Sequence, residues 1–451
     1  MSNTKKIIQE RDFFGKEKIS KILLKIAPPV MLAQLIQALY NIVDSFFVGR
    51  YSDDALTAVT VIYPMQLIII ALAVGTGVGV NTYMARKYAQ GNTVKADETA
   101  GTGTVLAVIS WALFAVFSIL VMRPYVETSA TEPGAVADAV SYGRIVCIGS
   151  LGTFLEGNWT KVHQSRGNMR LPMAAQILGA LTNCILDPLL IFGAGPIKAM
   201  GVSGAAYATV AGQVLAAVIT GVKGYRKPPK LKRMLYCAGR IYHYGYSSII
   251  MQLLYTVYIL LLNIILSGFS DAAVTVLGLY YKTQSFFFIP LFGLQTCIVP
   301  VLSFNCARKN YARCRETMKD SILISVLFML LGICCFVFLP TQMMRLFSKS
   351  ELVLEIGRTA FPIIGSSFIM AVFSLMMPVF FQAIGNGFLS LLLSLIRQIF
   401  CLVPVFWLLS KIGLNCAWIA FPVAETVSGA IGIVLYRRQT SKWKREEDEL
   451  S

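Results

Sequence analysis

The stretch YSDDALTAVTVIYPMQ, residues 51–66, has a second copy, FSDAAVTVLGLYYKTQ, at residues 269–284, which follows it by 218 positions. Six positions are identical in the two copies, including Ser52 and Ser270. The same offset pairs QSRGN (164–168) with QAIGN (382–386). A repeat at one fixed offset over much of a chain indicates duplication of a structural unit. We therefore predict two halves with the same fold.

The composition is that of a membrane protein. Of the 451 residues, 56% are hydrophobic and 14% are charged, and about 20 apolar residues suffice for a helix to cross a bilayer. Apolar runs of that kind lie at 22–49, 56–85, 100–122, 139–160, 172–193, 200–222, 244–267, 273–303, 321–340, 359–383, 389–410 and 413–436. We predict an all-α polytopic membrane protein with twelve transmembrane helices, six in each half.

The charge distribution predicts the orientation in the membrane. The net charge is +17, and the segment KGYRKPPKLKR (223–233) is strongly basic. Most Lys and Arg residues lie at the termini or in the loops after even-numbered spans, which is the positive-inside pattern. We therefore expect cytosolic termini, a bacterial cytoplasmic membrane as the location, the lipid bilayer as a partner, and no nucleic-acid partner.

The repeat also predicts the domain organisation. Because each half has an even number of spans, both halves enter the membrane from the same side and are parallel repeats. Transporters built from such repeats hold substrate between the two halves. We predict an N-terminal lobe at 1–222, a cytosolic linker at 223–243, and a C-terminal lobe with a cytosolic tail at 244–451.

The first span carries a polar stripe. Gln37, Tyr40, Asn41 and Asp44 recur at spacings of three and four, so they share one face of a helix. A charged side chain at the centre of a bilayer costs about 2.5 to 3.5 kcal/mol on insertion scales, and such a residue is by default functional. We expect Asp44 to bind a cation.

Three further polar residues fall at similar depth in the fifth and sixth spans. Asn183 and Asp187 are one helical turn apart, and Thr209 follows on the next span. Pro188 leaves one backbone carbonyl without its helical hydrogen bond. Two carboxylates, an amide and a hydroxyl suit a hard cation such as Na⁺, and two neighbouring carboxylates equally suit proton exchange. The predicted site of Asp44, Asn183, Asp187 and Thr209 therefore fits either Na⁺ or H⁺.

The second half carries different intramembrane groups. Arg397 and Glu425 lie at similar depths, which predicts a structural ion pair, with a role in ion coupling as the alternative. Lys282 receives no role. Pro28 and Pro29 in the first span, like Pro188, are candidate kinks that could act as hinges.

These motifs jointly resemble the multidrug and toxin extrusion (MATE) family, and specifically its bacterial DinF-like branch, over about residues 20–437. They are YNIVDSFFVG in the first span, ARKYAQGN after the second, NCILDP in the fifth and GAAYAT in the sixth. The resemblance implies two six-helix bundles in a V around a central cavity. It also implies that Asp44, Asn183, Asp187 and Thr209 form the cation site, and that Gln37 and Tyr40 face the substrate chamber. We therefore expect Gln37 and Tyr40, together with Asn41 on the same helix face, to bind substrate.

A NorM-like branch of the same family uses acidic residues on the seventh and tenth spans. This chain departs from that pattern, since it has Gln252 and Tyr255 on the seventh span and Phe380, Phe381 and Gln382 on the tenth. We therefore expect ion coupling in the first lobe.

The function that follows is secondary active antiport, in which organic cations or drugs leave the cell in exchange for Na⁺ or H⁺. No G-x-x-x-x-G-K-[ST] motif is present for ATP. With only His163 and His243, no nucleophile, base and metal set can be assembled, so we expect no enzyme activity and no cofactor other than the coupling ion. Alternatives are a flippase for a lipid-linked precursor and a non-transporting receptor. We expect a monomer.

Overall fold

The computed structural model describes residues 13–128, 133–193, 195–196, 198–348 and 350–449, and of Asp53 the backbone only. Apart from a helical turn at 13–16, the first seven helices run through the first half of the repeat. They are α1 Ile19–Tyr51, α2 Asp53–Ala89, α3 Thr93–Glu127, α4 Pro133–Gly149, α5 Leu151–Gln164, α6 Arg170–Ile191 and α7 Val202–Gly224.

The remaining helices follow the same order of long and broken segments. They are α8 Leu231–Ser267, α9 Asp271–Ala307, α10 Tyr311–Phe338, α11 Pro340–Arg345, α12 Glu351–Gly365, α13 Phe368–Ala383, α14 Gly387–Leu395, α15 Val403–Ser410, α16 Leu414–Ala417 and α17 Ala420–Asp448. A π-helical segment, Ile396–Leu402, joins α14 to α15. The described residues contain no strand, so the all-α prediction is confirmed.

The repeated motifs are helix caps. Ser52 precedes α2 and accepts a hydrogen bond from Ala55 N at 3.0 Å, and Ser270 precedes α9 and accepts one from Ala273 N at 3.2 Å. Both serines have an extended backbone, as expected for an N-cap that satisfies a free amide of the first turn. The duplication is therefore most visible in sequence where it fixes the starts of helices.

Helices occupy all twelve predicted spans, and two of these spans are broken. Within the described ranges, ten helices are long and apolar enough to cross a membrane, and the pair α12–α13, bent by 57°, makes up to eleven. The predicted span at 139–160 is broken at Ser150 into two helices, α4 and α5, of 17 and 14 residues. Ser150 Oγ donates to Cys147 O at 2.7 Å, a bond that competes with regular helix and favours a bend.

The described residues form two compact units. Unit 1 is Pro28–Ile249, and unit 2 consists of the described parts of Asp12–Ala27 and Ile250–Ser451. The boundary within α1 falls between Ala27 and Pro28, at the predicted proline kink. This division differs from the predicted lobes, because residues 13–27 belong with the second half.

The segment predicted as a linker, 223–243, is a packed part of unit 1. The helix α8 begins inside it, and Cys237 and Ile241 are buried. A Cβ added at Gly79 would lie 2.1 Å from Ile241 O, so glycine permits the backbones of α2 and α8 to approach this closely. Its basic residues are partly paired as well, since Arg226 and Arg233 bind Asp97 and Glu98.

The contact between α6 and α7 positions the predicted cation site. A Cβ added at Gly179 would lie 2.7 Å from Gly212 O, and one added at Gly212 would lie 2.5 Å from Gly179 O. The two helices therefore touch through their backbones. One turn further along α6, this brings Asn183 beside α7.

Candidate functional site

Two carboxyl groups meet inside unit 1. Asp187, on α6, is fully buried, and Asp44, on α1, is half-buried. Their carboxyl groups lie close enough to interact directly. Asp44 Oδ1 is buried and accepts no hydrogen bond from any described residue. The structure thus brings the two predicted acids together and leaves one carboxyl oxygen free for a ligand.

Asn183 connects the acid pair to α7. Oriented by its hydrogen bonds, its amide nitrogen donates to Asp187 Oδ2 at 3.1 Å, and its oxygen accepts from Thr209 N at 3.2 Å and Thr209 Oγ1 at 3.3 Å. Asn183 and Thr209 are 2% and 8% exposed, so few waters can replace these bonds. The four residues predicted to form the cation site are contiguous, and they come from α1, α6 and α7.

Pro188 directly follows Asp187 inside α6, and the helix continues past it to Ile191. Since proline has no amide hydrogen, the carbonyl of Cys184 lacks its regular helical donor. A further oxygen is therefore available one turn from Asp187. Pro28 and Pro29 likewise lie inside α1 without ending it.

The residues of the polar stripe on α1 differ in their burial. Tyr40 shares a hydrogen bond with Gln37 and lies within electrostatic range of both acids. Gln37 and Asn41 are exposed, and the backbone oxygen of Asn41 accepts a bond from Ser45 Oγ at 2.9 Å. Tyr40 thus lies beside the acids, whereas the side chains of Gln37 and Asn41 are exposed, and their role in binding substrate stays a prediction.

Two residues beside the site were missed from the sequence. Tyr142, on α4, is buried and lies within electrostatic range of Asp44, Asp187 and Tyr40. Gln66, on α2, donates to Tyr142 Oη at 3.3 Å. Gln66 is identical in the two copies of the repeat and lies inside a span, which was the signal that could have identified it.

The donor set consists of two carboxylates and neutral oxygens. Within the described residues, no three His, Cys, Asp or Glu side chains gather so that they could hold a metal ion. Asp44, Asp187, Asn183 and Thr209 nevertheless offer hard oxygen ligands of the kind that Na⁺ accepts. The same two carboxyl groups are close enough to share one proton between them. The donor set therefore suits Na⁺ and H⁺ alike.

Unit 2 contains the second predicted pair. Arg397, in the π-helical segment, donates to Glu425 on α17 from Nε at 2.9 and 3.0 Å and from Nη2 at 2.7 Å. The two side chains are 11% and 8% exposed. Ser374 Oγ also donates to Glu425. The ion pair forms as predicted, and each of its charges is compensated inside unit 2.

The sequence matches a known protein family. The family model described as MatE matches residues 29–189 and 247–408, more than half of the chain. The protein therefore belongs to the MatE family and is a membrane transporter, not an enzyme.

Several relatives span nearly the whole chain. One is the "Probable multidrug resistance protein NorM" of Thermotoga maritima, 26% identical over 96% of both chains. Another is the "FAD transporter" of Shewanella oneidensis, 23% identical over 93% of this chain and 95% of the relative. A solved MOP superfamily transporter from Pyrococcus furiosus superposes with a TM-score of 0.89 at 23% identity, over 96% of this chain and 98% of that one. The fold is therefore shared along the full length.

Proposed function

We propose that the protein is a cation-coupled antiporter that exports small organic molecules, and that its coupling ion binds at Asp44, Asp187, Asn183 and Thr209. The observation that carries the proposal is the buried contact between the carboxyl groups of Asp44 and Asp187. Two carboxylates this close repel each other unless a cation neutralises part of their charge. The bound cation therefore changes the energy of the contact between α1 and α6.

Ion binding would act on α1, because Asp44 lies on it and Asp187 lies on α6. A cation shared by the two carboxylates draws the helices together, and its release lets them separate. The boundary of unit 1 within α1 falls at Pro28, where a missing amide donor weakens the helix. We assign the hinge to Pro28 and Pro29, with Pro188 loosening α6 beside the site.

Substrate would bind along the α1 stripe next to the ion site. Tyr40 offers an aromatic face, which attracts organic cations, and Gln37 and Asn41 offer exposed amides. A substrate cation and the coupling ion would then compete for the same negative charge. A membrane potential supplies about 2.3 kcal/mol per charge per 100 mV, enough for accumulation ratios of tens.

The names of the relatives leave the substrate open, since they include multidrug resistance and FAD transport. The acidic charge of the unit 1 site favours cationic substrates. We further propose that the protein is a monomer of the bacterial cytoplasmic membrane with both termini in the cytosol. Labelling of a single cysteine introduced at Lys230 tests the orientation, since an impermeant reagent added outside intact cells must not reach it.

The function is tested in proteoliposomes that contain the purified full-length chain. Efflux of rhodamine 6G is measured under a sodium gradient alone, a pH gradient alone, and no gradient. We expect one of the two gradients to drive efflux and Asp44→Asn to abolish the driven part. Equal efflux with and without gradients, or a fully active Asp44→Asn variant, would overturn the proposal.

A further inference from the structure

A polar stripe runs along the exposed face of α9 in unit 2. Exposed residues recur there at spacings of three and four, so they lie on one side of the helix. Between residues 271 and 288 they are Asp271, Thr275, Gly278, Lys282 and Ser285. Four of these five side chains are polar or charged, although they lie within a candidate membrane span.

The next helix provides the contrast. Between residues 321 and 338, every exposed residue of α10 is Leu, Phe, Val or Cys. Apolar residues are what a helix presents to lipid. The exposed face of α10 therefore fits contact with acyl chains, whereas the exposed face of α9 fits contact with water.

The depth of Lys282 in the membrane determines the free-energy cost of exposing its charge to lipid. It lies 11 residues from the start of α9 at Asp271, about 16 Å along the helix, and so near the middle of a hydrocarbon core about 30 Å thick. Exposure to lipid at that depth costs about 2.5 to 3.5 kcal/mol on insertion scales. The side chain is too short to reach a headgroup from there. Lys282 must face an aqueous space.

Lys282 is also a charge without an acidic partner. Throughout the described ranges, no Asp or Glu side chain forms an ion pair with it. Arg397 also lies in a span of unit 2, but its charge is neutralised by Glu425. The water-facing side of unit 2 therefore carries an uncompensated positive charge.

Aromatic rings lie near this position, one residue away along α9. Tyr281, the residue before Lys282, contacts Tyr255 and Tyr258 with ring centroids 6.2 and 6.3 Å apart. The ring of Tyr255 is 38% exposed. Exposed aromatic surface next to a cation is suited to an aromatic molecule that carries an anionic group.

We propose that Lys282 is an anion-binding residue of unit 2, which takes the carboxylate or phosphate of an aromatic substrate while Tyr255 contacts the ring system. The inference deepens the proposed function, because it adds zwitterionic and anionic aromatic compounds to the substrates of the exporter. It assigns their anionic group to unit 2, separate from the acids of unit 1.

Two dyes with the same xanthene core test the proposal by equilibrium fluorescence anisotropy with the full-length protein in detergent. Fluorescein carries a carboxylate, and rhodamine 6G is an esterified cation. We expect Lys282→Gln to weaken fluorescein binding about tenfold, as loss of a charge-assisted hydrogen bond does, and to leave rhodamine 6G binding unchanged. Lys282→Arg should retain fluorescein binding.

Lys319, an exposed lysine of α10, provides the matched control, and Lys319→Gln should change neither affinity. Unchanged fluorescein binding in Lys282→Gln, or an equal loss for both dyes, overturns the proposal. Inhibition of fluorescein binding by inorganic phosphate distinguishes a general anion site from a carboxylate site. Because binding is measured without a gradient, failure of ion coupling would leave this result unaffected.

Discussion

Units 1 and 2 descend from one duplicated segment, yet they differ at the point where two of their helices meet. In unit 1, Gly179 and Gly212 let α6 and α7 touch through their backbones. Arg397 lies 218 positions after Gly179, and Glu425 lies 212 positions after Gln213, the neighbour of Gly212. The helices of unit 2 that match α6 and α7 are thus joined by an ion pair, whereas α6 and α7 touch through their backbones.

The difference shows which parts of the duplicated fold are free to change. The caps at Ser52 and Ser270 are retained, because they fix helix starts in both units. The chemistry between helices is not retained. Unit 1 keeps two neighbouring acids, Asp44 and Asp187, whereas unit 2 pairs Arg397 with Glu425. Ion coupling is therefore expected in unit 1 alone.

The largest effect is expected at Asp187. Asp187→Asn removes one of the two carboxylates, so the pair can no longer alternate between binding and releasing a cation. We expect gradient-driven efflux from proteoliposomes to fall to the level of protein-free vesicles. Val403, which precedes Pro404 as Asp187 precedes Pro188, is the matched position in unit 2. Val403→Asn should leave coupling intact, and coupling that survives in Asp187→Asn would contradict the comparison.

The next effect concerns the ion pair of unit 2. Arg397→Met leaves Glu425 buried without its partner, which typically destabilises a protein by about 3 to 5 kcal/mol. Adding Glu425→Met should recover most of that stability, because apolar residues of similar volume replace a buried pair at little cost. Unfolding in a denaturing detergent, followed by tryptophan fluorescence, measures both. A stable single variant would show that the pair contributes nothing.

Much of this arrangement could be predicted from the sequence. The repeat offset and the apolar runs predicted an all-α membrane protein, and helical spacing placed Asn183 and Asp187 on one face. Asp44 and Thr209 joined them because side chains at equal depth on neighbouring helices have few other polar groups to contact. Arg397 and Glu425 met for the same reason.

Other features depend on helix rotation, which spacing alone does not determine. Asn41 shares the stripe with Tyr40 but is exposed, and Tyr142 enters the site from a helix whose orientation was not predicted. The break at Ser150 follows from a side-chain hydrogen bond to Cys147 O, which hydropathy does not reflect. The segment 223–243 looked like a linker from its charges, but Cys237 and Ile241 make it part of unit 1.

A smaller effect is expected where the helices of unit 1 touch. The methyl of Gly212→Ala would lie 2.5 Å from Gly179 O, and such overpacking costs about 1 to 3 kcal/mol. In unit 2, Ala424, 212 positions later, already carries that methyl. We expect Gly212→Ala to lower thermal stability and ion affinity together, because α7 moves Thr209 away from Asn183. Gly239→Ala, with open space around the added methyl, is the control and should lower neither.

The caps should respond equally in the two units. Ser52→Ala and Ser270→Ala each remove one hydrogen bond to the first turn of a long helix, which costs about 1 kcal/mol. Thermal unfolding in detergent should show similar losses for the two variants and an additive loss for the double variant. A loss confined to one unit would mean that the two caps have diverged in function despite their common geometry.

The smallest expected effect concerns one backbone position at which the two units carry different residues. Gly91 and Lys309 are 218 positions apart and both adopt left-handed conformations, with φ of 74° and 57°. Lys309 N bonds Cys306 O and Gly91 N bonds Tyr88 O, each at 3.0 Å, so the two turns are equivalent. A side chain there costs about 1 kcal/mol relative to glycine. Lys309→Gly should therefore raise the midpoint of thermal unfolding slightly and Gly91→Lys should lower it. Equal midpoints for these variants and the unchanged protein would show that the strain at Lys309 is offset by its side chain.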